Sequence, residues 1–154
     1  MTVAVGKKLP AFSLPRSDGS TWKTSDSNGS KLVLFFYPKA MTPGCTLEGQ
    51  DFRDLHAQFK RAGATVLGIS KDSCERQARF RTKEKFSFDL LSDEDEKVCR
   101  LFDVIREKSL YGRKFMGIER STFLFDAAGR LAREWRKVRV KGHAAEVLEA
   151  AKAL

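Results

Sequence analysis

Residues 31–37 read Lys31-Leu32-Val33-Leu34-Phe35-Phe36-Tyr37, and Pro38 follows directly. After its first lysine this run is apolar at every position. That is the pattern of a strand covered on both faces, as in parallel sheets flanked by helices. Proline, which lacks a backbone donor, ends it. Residues 65–70, Thr-Val-Leu-Gly-Ile-Ser, form a second run of the same kind. Between them Thr42 to Arg61 predicts a helix, because Leu47, Phe52, Leu55 and Phe59 fall three to five apart and make one apolar stripe.

The same alternation extends in both directions. Downstream, Ser73 to Lys85 reads as a polar helix with Ser73 as its cap. Asp89 to Leu91 reads as a short strand and Asp95 to Phe102 as a helix. Ser121 to Asp126 is a strand, 127–130 a turn, Leu131 to Val140 its hairpin partner, and His143 to Leu154 a closing helix. Upstream, the turn-rich residues 10–30 predict a small hairpin and a surface loop. Residues 81–88 and 103–115 give the weakest reading. The whole predicts one α/β domain over residues 1–154, a mixed sheet between helices with an N-terminal β-hairpin.

Composition narrows the function. The chain has 154 residues, 42% hydrophobic and 32% charged, which excludes disorder, collagen and coiled coil. The longest apolar run, Leu32 to Tyr37, is far short of the roughly 20 residues that span a bilayer. The opening MTVAVGKKLPAF lacks the charged-then-apolar order of a secretory signal, so a cytoplasmic protein with no membrane partner is expected. The net charge is +9 and is densest at Arg130, Arg133, Arg136, Lys137, Arg139 and Lys141, opposed only by Glu134. Leu131, Trp135, Val138 and Val140 interleave with those cations, so the segment reads as a strand with a solvated basic face. No nucleic-acid partner is expected.

The three cysteines, Cys45, Cys74 and Cys99, are too far apart for a CxxC, and neither His56 nor His143 neighbours one of them. No zinc site, disulfide framework or bound cofactor is expected, which leaves free thiols. Cys45 stands out. With Thr42 as N-cap, Pro43 falls at the first helical position, where its missing N–H does no harm, and Cys45 at the third. Backbone N–H groups and the helix dipole favour an anion there, and the thiolate is the nucleophilic form of a thiol. By position alone, Cys45 serves equally as a nucleophile or as a buried inert thiol.

The segment FYPKAMTPGCTLEGQDFRDL, residues 36–55, resembles the active-site loop of peroxiredoxins, whose P-x-x-x-T/S-x-x-C pattern is met by Pro38, Thr42 and Cys45. The likeness is to the Q-type subfamily, also called bacterioferritin co-migratory protein. It continues through LGISKDS (67–73), LLSDED (90–95), YGRKFMGIERSTFLFD (111–126) and WRKVRVKGHAAEVLEA (135–150). The resemblance implies a thioredoxin-like fold and a thiol-dependent peroxidase acting on hydrogen peroxide and organic hydroperoxides. It implies Cys45 as the peroxidatic cysteine, becoming a sulfenic acid. It also implies that Thr42 hydrogen-bonds the thiolate and the peroxide, that Arg120 keeps Cys45 ionised, that Pro38 shields the pocket, and that Glu48 supports Arg120.

The chain departs from the subfamily in its resolving cysteine. The two usual resolving positions hold Gln50 and Arg81. A one-cysteine cycle is therefore expected, re-reduced by a thioredoxin- or glutaredoxin-type protein or a small thiol. The alternatives are an atypical two-cysteine cycle through Cys74, or a peroxide sensor or holdase with little turnover. Cys99, among Val98, Leu101 and Phe102, reads as a buried hydrophobe. A disulfide reductase on the same fold would need a second thiol three residues from Cys45, where Thr42 and Glu48 stand. The resemblance also suggests a monomer.

Overall fold

The computed structural model describes residues 3–154. In chain order its strands are β1 (Ser13–Pro15), β2 (Thr21–Lys23), β3 (Lys31–Phe36), β4 (Ala64–Ser70), β5 (Asp89–Ser92), β6 (Ile105–Leu110), β7 (Arg113–Ile118), β8 (Ser121–Phe125) and β9 (Leu131–Trp135). Its α-helices are α1 (Pro43–Arg61), α2 (Cys74–Glu84), α3 (Lys97–Leu101) and α4 (His143–Lys152). A five-stranded sheet in the order β5-β4-β3-β8-β9 carries the fold. β3, β4 and β5 run parallel, with Val33 opposite Val66, while β8 and β9 join antiparallel, with Val33 also opposite Leu124.

The continuous apolar run of β3 lies at the centre because both its faces are covered. Val33, Phe35 and Tyr37 meet Phe52, Phe59, Phe80, Val147 and Leu148 from α1, α2 and α4. Leu32, Leu34 and Phe36 meet Trp22, Val98, Phe102, Ile105 and Ile118 from the two hairpins and α3. Phe35 stacks on Phe52 with ring centroids 4.6 Å apart, an aromatic pair that adds about 1 kcal/mol to the burial itself. Gly68 allows this layering: a Cβ there would stand 2.8 Å from both Leu90 and Phe35.

Several expected elements differ. The predicted strand 131–140 stops at Trp135. Lys137 turns into the left-handed region (φ 50), and the Val138 N–H donates to the Arg120 carbonyl (3.0 Å) instead of to the sheet. The basic residues 136–141 are therefore a loop lying over Arg120, not a strand face. The helix expected over 95–102 is confined to Lys97–Leu101, because the Asp93 carboxylate accepts from the Val98 and Cys99 N–H groups at its start. Residues 103–115, read most weakly, enter the β6–β7 hairpin. Leu47, assigned to the apolar stripe, is 49% exposed; the buried face of α1 instead holds Cys45, Glu48, Gly49, Phe52, His56 and Phe59.

Candidate active site

The site forms where β3 hands the chain to α1. Thr42 takes an extended conformation (φ −85, ψ 156) and Pro43 opens the helix, so Cys45 sits in its first turn. Cys45 is only 2% exposed. The Thr42 hydroxyl donates to the Lys39 carbonyl at 2.8 Å and caps no helical N–H. A hydroxyl carries one proton, so donation to the sulfur requires this bond to be given up. The bond to the thiolate expected of Thr42 is thus absent in this arrangement. Pro38 is half-buried beside the loop.

Arg120 reaches the helix start from the β7–β8 connection. Its Nη2 donates to Cys45 Sγ at 3.4 Å and its Nη1 to Glu48 Oε1 at 2.6 Å. Cys45 and Glu48 are one helical turn apart on the same face, so one guanidinium bridges both. Gly44 permits this approach, since a Cβ there would lie 3.1 Å from Arg120 Nη2.

The Glu48 side chain is 1% exposed, and its second oxygen has no hydrogen-bond partner among the described residues. Burial pushes this carboxyl up to about 7, against the pull of the Arg120 cation. Burial opposes the charge on Arg120, yet Glu48 and Cys45 hold its pKa above the ordinary arginine value. Lys108 on β6 belongs to the same surroundings: burial and the Arg120 cation lower its pKa. Nothing in the residues around Lys108 marked it in the sequence.

The other thiols are placed differently. Cys99 is fully buried, and burial together with the Asp93 carboxylate pushes its pKa up, so it stays a protonated thiol. Cys74 opens α2, half-buried, behind the Ser73 cap that accepts from the Arg76 N–H (3.2 Å). The two usual resolving positions stitch elements together instead: Gln50 donates to Glu84 (2.8 Å) and Arg81 to the Phe88 carbonyl (3.0 Å).

A buried thiol at a helix start, held by a guanidinium and with no second thiol in its helix, makes a thiol site on a thioredoxin-like scaffold. The chain belongs to the AhpC/TSA family, whose model matches residues 5–134. It is 49% identical over 152 residues to the peroxiredoxin Bcp of Bacillus subtilis, covering 99% of this chain and 97% of that one. Among solved structures, a Xylella fastidiosa PrxQ mutant superposes with a TM-score of 0.94 at 43% identity, covering 99% of this chain and 98% of the other. The Xanthomonas campestris bacterioferritin comigratory protein, solved as trapped intermediate and ligand complexes in work on its alkyl peroxide reduction activity, superposes at 0.88. It is 48% identical, with 92% and 90% covered. Peroxiredoxins are thiol-dependent peroxidases, and that is the activity of this chain.

Proposed function

We propose that Cys45 is the peroxidatic residue for hydrogen peroxide and organic hydroperoxides, in one unit spanning residues 1–154 that works as a cytoplasmic monomer. The Cys45 thiolate attacks one oxygen of the O–O bond. The bond breaks, sulfur is oxidised to the sulfenic acid, and the leaving alkoxide or hydroxide takes up a proton. The observation that carries this reading is the Arg120 contact to Sγ at 3.4 Å. A fixed cation there stabilises the charge that grows on the peroxide oxygens as the O–O bond breaks. Glu48 orients Arg120, the Thr42 hydroxyl turns from Lys39 to the sulfur or the peroxide, and Pro38 limits water.

Re-reduction comes from outside the chain. A thiol of a thioredoxin- or glutaredoxin-type protein, or a small thiol, attacks the sulfenic sulfur and water leaves; a second thiol then breaks the mixed disulfide. The hydrogen-bonded side chains at Gln50 and Arg81 support this cycle over an internal disulfide. The test is steady-state peroxide consumption by wild type and Cys74→Ser, with dithiothreitol and with thioredoxin as reductants. Unchanged turnover in Cys74→Ser supports the one-cysteine cycle. A loss of tenfold or more with both reductants moves resolution to Cys74.

A further inference from the structure

We propose that the β6–β7 hairpin is a docking surface for the reducing partner, a protein dithiol whose face around the attacking thiol is acidic. The inference rests on the peroxidase reading and on re-reduction by an external protein. Of the seven large apolar side chains exposed among the described residues, four stand on this one hairpin: Leu110, Tyr111, Phe115 and Met116. Apolar groups gathered in one place and bordered by charge mark an interaction surface, whereas scattered ones do not.

The tip departs from what turn stability alone selects. Tyr111 and Gly112 are the two residues between the strands, and both have positive φ (51 and 77). Such a turn favours Asn-Gly, since asparagine tolerates the left-handed region and a bulky side chain does not. An aromatic ring stands there instead, 97% exposed. The fold makes no use of that ring; a partner outside the fold can.

The hairpin lies beside the site and its charge selects the partner. β7 runs through Ile118 into the connection from which Arg120 reaches Cys45 Sγ. Lys108 pairs opposite Phe115 and Leu110 opposite Arg113, so these four share one face. Burial lowers the Lys108 pKa, and the Arg120 cation and Cys45 also act on it, so this face turns toward the site. At about 3.4 Å per residue, Phe115 and Met116 stand roughly 7–10 Å from the Ile118 end of β7. A transient redox complex covers about 600 Å² per partner, a disc about 14 Å in radius, which takes in both side chains. Residues 105–120 carry five cations against Glu107 and Glu119, and the loop 136–141 over Arg120 adds four cations and no acid. Lys108 and Arg113 have no carboxylate partner among the described residues, while Lys114 shares Glu107 at 3.7 Å. A second copy would set this basic face against itself across a twofold axis. An acidic partner meets opposite charge, which speeds encounter and fixes orientation. Two thiols in that partner complete the cycle. The first attacks the sulfenic sulfur as the S–O bond breaks and hydroxide leaves as water; the second breaks the mixed disulfide, and the partner departs as a disulfide.

The experiment is steady-state peroxide consumption at saturating hydrogen peroxide, with an acidic thioredoxin or with dithiothreitol as the varied reductant. The variants are Tyr111→Asn, which suits the turn and keeps the fold, and the double variant Arg113→Glu with Lys114→Glu. Loss of an interface aromatic should lower kcat/KM for thioredoxin about fivefold in Tyr111→Asn. The charge reversal should lower it tenfold or more and abolish its decline with rising salt. With dithiothreitol, which is too small to reach the hairpin, both variants should stay within twofold of wild type. Equal loss with both reductants, no loss with either, or a wild type that accepts dithiothreitol and no protein dithiol overturns the docking surface. So does a wild type that self-associates, or binds anionic phosphatidylglycerol vesicles, through Tyr111 while its thioredoxin kinetics ignore that residue. A wild type that consumes no peroxide with dithiothreitol defeats the underlying reading instead.

Discussion

Replacing Glu48 by glutamine should change how stability depends on pH, in a direction the site fixes. The carboxyl has an ordinary value of 4.5, and burial raises it to about 7 in the folded chain. Between those two pH values the folded chain holds a proton that the unfolded chain has lost. Stability from this group is therefore fully present below pH 4.5 and is lost as pH rises through 7. The gap between the two values corresponds to about 3 kcal/mol. Glutamine resembles the protonated acid and does not titrate. Urea unfolding of the reduced wild type and Glu48→Gln should agree within about 1 kcal/mol at pH 5. By pH 8 the wild type should have lost about 3 kcal/mol relative to the variant. Other titrating groups, including His56 and His143, are common to both proteins. A difference that stays flat from pH 5 to 8 would refute the reasoning: Arg120 would then outweigh burial and keep Glu48 ionised in both states.

Three further outcomes are expected. Arg120→Met removes the cation touching Cys45 Sγ, so the rate constant with hydrogen peroxide should fall by about 10²–10³ in stopped-flow measurements; a change below threefold would remove Arg120 from the chemistry. Gly49→Ala places a Cβ 2.3 Å from the Phe86 ring, so it should destabilise by about 1–3 kcal/mol and lower the thermal midpoint by roughly 2–10 °C. Cys99→Ala should cost about 1–2 kcal/mol of stability while leaving the peroxide rate within twofold; a tenfold loss of rate at intact stability would make Cys99 chemical.

Local signals carried much of the fold. The apolar run of β3 and the proline after it, the run of β4, and the Pro43–Cys45 placement in α1 are short-range patterns, and each was readable in isolation. The charged stretches were harder. The strands of the β6–β7 hairpin bury only Ile105, Gly117 and Ile118, so they carry no alternating strand pattern to detect. The basic loop 136–141 looked like a strand because Val138 and Val140 alternate with cations; its real course follows from one backbone bond to Arg120. Within the site, Cys45 was legible from its helix position, whereas Arg120 lies 75 residues away. Beside Glu119 it resembles half of a surface ion pair, and only the motif around it pointed inward. The near-complete burial of Glu48 was invisible, since a glutamate one turn into a helix ordinarily faces water.

The most direct test of the central claim is the intact mass of fully reduced protein after one equivalent of hydrogen peroxide, with a sulfenic-acid trap present and the adduct mapped by peptide digestion. The account predicts a single adduct on Cys45, with Cys74 and Cys99 still free thiols. A loss of two hydrogens mapped to Cys45–Cys74 would keep the peroxidase and replace its resolution step. A folded sample in which Cys45 stays unmodified would contradict the account outright.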